Sequence, residues 1–215
     1  MHLAVFDIDG TLADSAEFDG LLYAEAIWKV LGIEIDCAWS NYSSVTDSGI
    51  LDQIIDESSL SGERGRIHSQ VRTEFVNLTK NYLDKNTEAL REIPGAKALV
   101  DTLKKHPSVV VAIATGGWRE TAEIKLRGIG IDPGDIPLAT ASDLSDRRDI
   151  IGLAESRAMN GRIALHRTYF GDGIWDKKAA MELNYGFVAV GDGVVHDISV
   201  PDLSDHSRIL RYLGL

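Results

Sequence analysis

Cysteine is almost missing from this chain: among 215 residues it occurs once, at Cys37. One thiol can form neither an intrachain disulfide nor a cysteine-built zinc centre. No catalytic motif surrounds it, so Cys37 is expected to be an ordinary apolar filler. Positive charge is also scarce. Lys and Arg number 22 against 33 Asp and Glu, giving a net charge of −11 and a pI near 4.9. That balance excludes the basic footprint of a nucleic-acid binder and argues against docking on anionic membranes. No apolar run approaches the ~20 residues of a membrane span. The N-terminus has no basic segment followed by a long apolar one, so a cytoplasmic protein is the expectation. Internal repeats, low-complexity tracts and long linkers are lacking too. What is present is 44% apolar residues, enough for a packed core, in a length that allows one sizeable domain or a core with a smaller insert.

The chain opens on a short apolar run, Leu3 to Phe6, long enough for one buried strand of a parallel sheet. From about Asp14 to Arg91 the pattern turns helical. Leu21, Leu22, Tyr23, Ile27, Val30 and Leu31 recur at helical steps and end at Gly32, a natural stop. A second stripe follows at Ile50, Leu51, Ile54 and Ile55, and a third at Ile67, Val71, Phe75, Leu78 and Tyr82. After the break at Ile93-Pro94-Gly95, helices and strands alternate. Helices are expected over 96–105, 118–127, 147–159 and 176–183, and strands over 109–114, 137–141, 167–170 and 187–190. This pattern predicts an α/β fold, a doubly wound and mostly parallel sheet. The expected organisation is a core of residues 1–14 and 92–215 with a helical cap domain of residues 15–91.

Ligands of such sheets lie beyond the carboxyl ends of the strands, and three strand ends carry chemistry. The first gives Asp7-Ile8-Asp9-Gly10-Thr11, where Asp7 and Asp9 point to one side because extended residues alternate. The second gives Thr115-Gly116-Gly117. The third gives Gly171-Asp172-Gly173, with Asp176 where the next helix begins. Taken singly, Asp176 is as well explained as a helix cap, and Gly171-Asp172-Gly173 as a turn. Taken together, four carboxylates converge at one edge, and that is tolerable only around a cation. The donors are all oxygens, which favours Mg²⁺ over Zn²⁺.

Asp7-Ile8-Asp9-Gly10-Thr11, the Thr115 loop and the Asp172/Asp176 segment, in that order, resemble the motifs of the haloacid dehalogenase superfamily. The resemblance extends to the subgroup that inserts a helical cap after the first strand, as in phosphoglycolate phosphatases and β-phosphoglucomutases. It implies a Rossmann-like core and a Mg²⁺-dependent phosphatase acting on a small phosphorylated metabolite. It also implies roles. Asp7 would be the nucleophile that forms an aspartyl-phosphate, and Asp9 the general acid and base. Thr115 and Gly116 would grip the phosphoryl oxygens. Asp7, the Asp9 carbonyl, Asp172 and Asp176 would hold the metal. One motif departs, because the family's third motif is a Lys and none lies between Lys125 and Lys177. Arg147 is the preferred substitute, with Arg148 second; the two cations are not interchangeable in geometry. A phosphomutase is the nearest alternative, with Arg64, Arg66, His68 and Arg72 available to orient an intermediate. A non-catalytic phosphate-binding or regulatory module is the other. A monomer or small homo-oligomer is expected.

Overall fold

The computed structural model describes residues 1–215. Strand β1 (His2–Phe6) has all five residues buried, because it lies in the middle of a six-stranded sheet. Around it stand β4 (Val109–Ala114), β5 (Leu138–Ala139), β6 (His166–Gly171), β7 (Gly186–Val190) and β8 (Ser199–Val200), in the order β5-β4-β1-β6-β7-β8. Every pairing is parallel. Phe6 lies opposite both Ile113 and Phe170. The register therefore brings Asp7, Thr115 and Asp172 out at the same edge.

Side chains alternate across the sheet and feed two apolar layers. Ala4, Phe6, Val111, Ile113 and Phe170 pack on the helices α4 (Ala96–Lys105), α5 (Arg119–Gly128) and α8 (His206–Leu213). Leu3, Val5, Ala112, Ala114 and Tyr169 pack on α6 (Arg147–Met159) and α7 (Ile174–Glu182). Helices on both faces of a parallel sheet make the doubly wound architecture expected from the alternating pattern.

Between the first two core strands the chain forms α1 (Ala16–Leu31), α2 (Asp47–Glu57) and α3 (Arg64–Lys85). Gly32 ends α1 in the left-handed conformation at φ 69°, a position most side chains avoid. Phe18, Tyr23, Ile27 and Phe75 are buried between these helices. The layer is continuous with the core through Trp118, which is fully buried against Tyr23 and Phe75. The chain leaves the core through β2 (Ala13–Asp14) and returns through β3 (Arg91–Glu92), and these two pair as an antiparallel ribbon. Cys37 lies exposed between α1 and α2, so the expectation of an apolar filler is corrected. Its neighbours Ile33, Ile35 and Trp39 pack against the core instead. Helix α7 starts at Ile174, which places Asp176 inside its first turn.

Candidate active site

The edge where β1, β4 and β6 end is a cleft roofed by α1 and α2, with a cavity volume of about 110 Å³. Asp7 is buried at its floor, and its backbone N–H donates to the Phe170 carbonyl at 3.0 Å. Gly10 allows the neighbouring turn: its φ is +74°, and a Cβ there would sit 2.0 Å from Asp172 Oδ2. The glycine is required both by its conformation and by the closeness of Asp172.

Asp7, Asp172 and Asp176 each offer a carboxylate oxygen within 4.8 Å of the others. Burial pushes the Asp7 carboxyl well above the usual range, and the charge of Asp176 adds to it, against the pull of Arg147. Asp172 is raised to about 7, first by burial and then by Asp176 and Asp9. Buried like charges of this kind call for a hard cation, and the all-oxygen donor set fits Mg²⁺.

Asp176 also serves its helix. Its Oδ2 accepts the Gly173 N–H at 3.0 Å, so the helix-cap reading describes part of what it does. Its Oδ1 faces Arg147. Asp146 caps α6 by accepting the Arg148 N–H, and the helix then begins at Arg147. Arg147 Nη1 donates to Asp176 Oδ1 at 2.6 Å and reaches Asp7 Oδ1 at 3.4 Å; Nη2 donates to the Val45 carbonyl at 2.9 Å. Its Nε is buried and donates to no acceptor in the protein. Arg148 instead points outward to Asp146 and Glu182. Tyr169, unremarked in the sequence, stands behind the pair: its hydroxyl donates to the Ala114 carbonyl at 3.0 Å and lies 3.3 Å from Asp176 Oδ1.

Thr115 is buried, and its Oγ1 accepts the Gly117 N–H at 3.1 Å. Gly116 has no room for a side chain, since a Cβ would meet Arg147 Nη2 at 2.3 Å and the Val45 carbonyl at 2.9 Å. Its N–H donates to nothing in the protein.

Four further side chains at the cleft, Lys125, Asp19, Ser15 and Asp47, are not singled out by the sequence motifs. Lys125 on α5 is fully buried, and its Nζ lies 2.6 Å from Asp9 Oδ1 and 2.6 Å from Asp19 Oδ1 on α1. These contacts are ionic rather than well-aligned hydrogen bonds, and the two carboxylates keep the ammonium charged in spite of its burial. Asp19 is pushed up to about 6, because burial outweighs Lys125. Ser15 also donates to Asp9 Oδ1, at 2.5 Å. Asp9 is thus held through one oxygen, and Oδ2 remains for the cleft. Asp47, at the start of α2, is buried beside the Thr115 loop: its Oδ2 accepts the Trp118 N–H at 2.7 Å, and its N–H donates to the Gly116 carbonyl at 2.8 Å. Burial and then the charge of Asp19 push the Asp47 carboxyl well up.

The second Gly-Asp-Gly, residues 191–193, belongs to the loop after β7; Gly193 lies against the Asp172 carbonyl, and a Cβ there would approach it at 3.0 Å. Arg64, Arg66, His68 and Arg72 of the helical layer do not line the cleft, and the Nε of Arg72 is buried without an acceptor. Arg64 pairs with Asp52 and Asp56, Arg66 with Glu63, and His68 with Asp52, while Arg72 stacks 5.3 Å over the Trp118 ring.

A family model described as haloacid dehalogenase-like hydrolase matches residues 1–184. No curated protein matches the sequence. Among solved structures, a hydrolase from Pseudomonas syringae is similar over 99% of both chains at 22% identity, with a TM-score of 0.74. A β-phosphoglucomutase from Clostridium difficile is similar over 99% of both chains at 17% identity, with a TM-score of 0.68. CbbY from Rhodobacter sphaeroides, solved with phosphate, is similar at 16% identity and a TM-score of 0.61, over 94% of this chain and 95% of its own. At these identities the likeness is one of fold. No helix is long and apolar enough to cross a membrane.

Proposed function

The chain belongs to the haloacid dehalogenase-like hydrolases, and from that premise we propose that it is a Mg²⁺-dependent phosphatase of a small phosphorylated metabolite, working through an aspartyl-phosphate, with residues 15–91 as its cap. The observation that carries this reading is Asp9. It lies two residues beyond the buried Asp7, held through Oδ1 by Lys125 and Ser15, with Oδ2 left to exchange a proton in the cleft.

The chemistry follows from the residues. An Asp7 oxygen attacks phosphorus while the ester oxygen departs with the proton of Asp9 Oδ2. Asp9 then takes a proton from water, the hydroxide so formed attacks phosphorus, and Asp7 is released with inorganic phosphate. A positioned acid and base of this kind is worth ~10²–10⁴-fold in rate. Arg147 neutralises charge at Asp7, and its unpartnered Nε suits a phosphoryl oxygen, as does the Gly116 N–H. Asp7, the Asp9 carbonyl and Asp172, supported by Asp176, would hold Mg²⁺, which supplies charge neutralisation for the phosphoryl group. The phosphomutase alternative needs a second cationic site for its bisphosphate. Arg64, Arg66 and His68 are paired with carboxylates and Arg72 covers Trp118, which supports hydrolysis instead.

Single turnover in ¹⁸O-water with Mg²⁺ tests the proposal. Label should appear in the released phosphate and not in the peptide containing Asp7, and Asp7→Asn should abolish turnover. Label in the Asp7 carboxylate would mean attack at carbon and defeat the phosphatase reading.

A further inference from the structure

The walls that would surround the alcohol end of a bound ester are acidic and aromatic. Beyond the residues assigned above to phosphate and metal, the charged and aromatic lining of the cleft is Asp19, Asp47, Tyr23, Trp39 and Trp175, the rest of the wall is neutral, and Arg147 is its one cationic residue. Arg147 is already committed to Asp7, Asp176 and the Val45 carbonyl. A second phosphate or a carboxylate on the substrate would therefore meet no counter-charge. It would instead face two further carboxylates in a site already crowded with them.

Asp47 points to what belongs there. Its residue is nine-tenths buried, at 9% exposure, and it lines the cleft. One carboxylate oxygen, Oδ2, accepts the Trp118 N–H; no protein donor reaches the other. The other oxygen opens to the cleft and is free to accept from a ligand bound there. The nearby Asp19 shares its charge with Lys125, whereas Asp47 pairs with no cation in the protein. Tyr23, Trp39 and Trp175 add ring faces and edges, and aromatic walls with a carboxylate form a natural setting for an ammonium group.

Resting on the phosphatase reading above, we infer that the substrate is a phosphate ester of an amino alcohol, its ammonium or quaternary ammonium group seated between Asp47 and the Tyr23, Trp39 and Trp175 rings. Asp47 adjoins the Thr115 loop, so the cation sits close to the phosphate, as a short two-carbon ester requires. The cap selects by charge: a cationic tail gives the Asp47 carboxylate the counter-ion it lacks in the protein, and an anionic tail finds no partner there.

Three two-carbon esters that differ only at the distal end decide the matter: aminoethyl phosphate, hydroxyethyl phosphate and carboxymethyl phosphate. With Mg²⁺, kcat/KM should be about tenfold higher for the amino ester than for the hydroxy ester, and lowest for the carboxy ester. Asp47→Asn keeps an acceptor for the Trp118 N–H and removes the charge. It should bring the amino-to-hydroxy ratio toward one, and taking that ratio within each protein cancels the intrinsic reactivity of the esters. A highest kcat/KM for the carboxy ester, or a ratio unmoved by Asp47→Asn, overturns the inference and leaves hydrolysis standing. Release of phosphate from none of the three counts against hydrolysis itself. The cation site is then read separately, by choline quenching of tryptophan emission: quenching that Asp47→Asn abolishes supports it, and none in either protein overturns it.

Discussion

Replacing Lys125 by Met removes the ammonium that separates two buried carboxylates. Asp9 Oδ1 and Asp19 Oδ1 each lie 2.6 Å from the same nitrogen, so they are close neighbours once it is gone. Met retains much of the side-chain volume, which isolates the loss of charge. Removing one partner of a buried pair costs about 3–5 kcal/mol. At roughly 2–4 °C per kcal/mol for a protein of this size, the melting temperature should fall by about 6–20 °C at neutral pH. The sign of the pH dependence follows from Asp19. Its folded value, raised to about 6, stands above its unfolded one, so the group favours the folded state at low pH and loses that contribution as pH rises through about 6. Without Lys125 the carboxyl rises further, so the deficit of the variant should be larger at pH 7.5 than at pH 5.5. Asp19→Asn in the Lys125→Met background removes one of the two charges and should recover part of the loss. Thermal melts of the three proteins at the two pH values are the assay. A Lys125→Met protein that melts within a degree or two of the parent at pH 7.5, or one that Asp19→Asn does not improve, would refute the reasoning.

Arg147→Ala should weaken phosphate binding and turnover and lower the melting temperature, since it strips Asp7 and Asp176 of their buried cation, whereas Arg148→Ala should leave both close to the parent because its partners are at the surface; steady-state kinetics and melts of both variants check this. Ca²⁺ should inhibit Mg²⁺-supported phosphate release, because the larger ion loosens octahedral geometry among Asp7, Asp172 and Asp176, and titration of Ca²⁺ against fixed Mg²⁺ reads it. Gly10→Ala should cost about 1–3 kcal/mol of stability from its left-handed backbone and should also raise the Mg²⁺ concentration needed for half-maximal activity, since the new methyl displaces Asp172.

Much of this architecture is local and therefore legible. The apolar run before Asp7, the stop at Gly32 and the cap Asp146 act within a few residues, and so do the strand-end motifs that a parallel sheet brings to one edge. What escaped depends on partners in distant segments. Lys125 stands with Thr121, Ala122, Leu126 and Ile129 on the buried side of its helix, so a lysine inside an apolar stripe was the available signal. Asp47 shares a face with Ile50, Leu51 and Ile54 and carried the same signal. Leu21 shows the converse: expected in the buried stripe of α1, it is exposed, as is Trp28, because the buried face runs through Phe18, Leu22, Ala26 and Ile27. Which oxygen of Asp9 is engaged, and which Arg turns inward, are matters of side-chain direction that spacing alone leaves open.

The paired strands at Ala13–Asp14 and Arg91–Glu92 mark the line at which the chain enters and leaves the helical layer, which is packed on the core through Trp118 as well. Two of the groups that hold Asp9 lie on the far side of that line or on it: Ser15 directly, and Asp19 through its contact with Lys125. Lys125 itself belongs to the sheet's own helices. The orientation of Asp9 is therefore a joint property of the two layers: a substitution that loosens their packing, even one far from the cleft, should reach this carboxylate first.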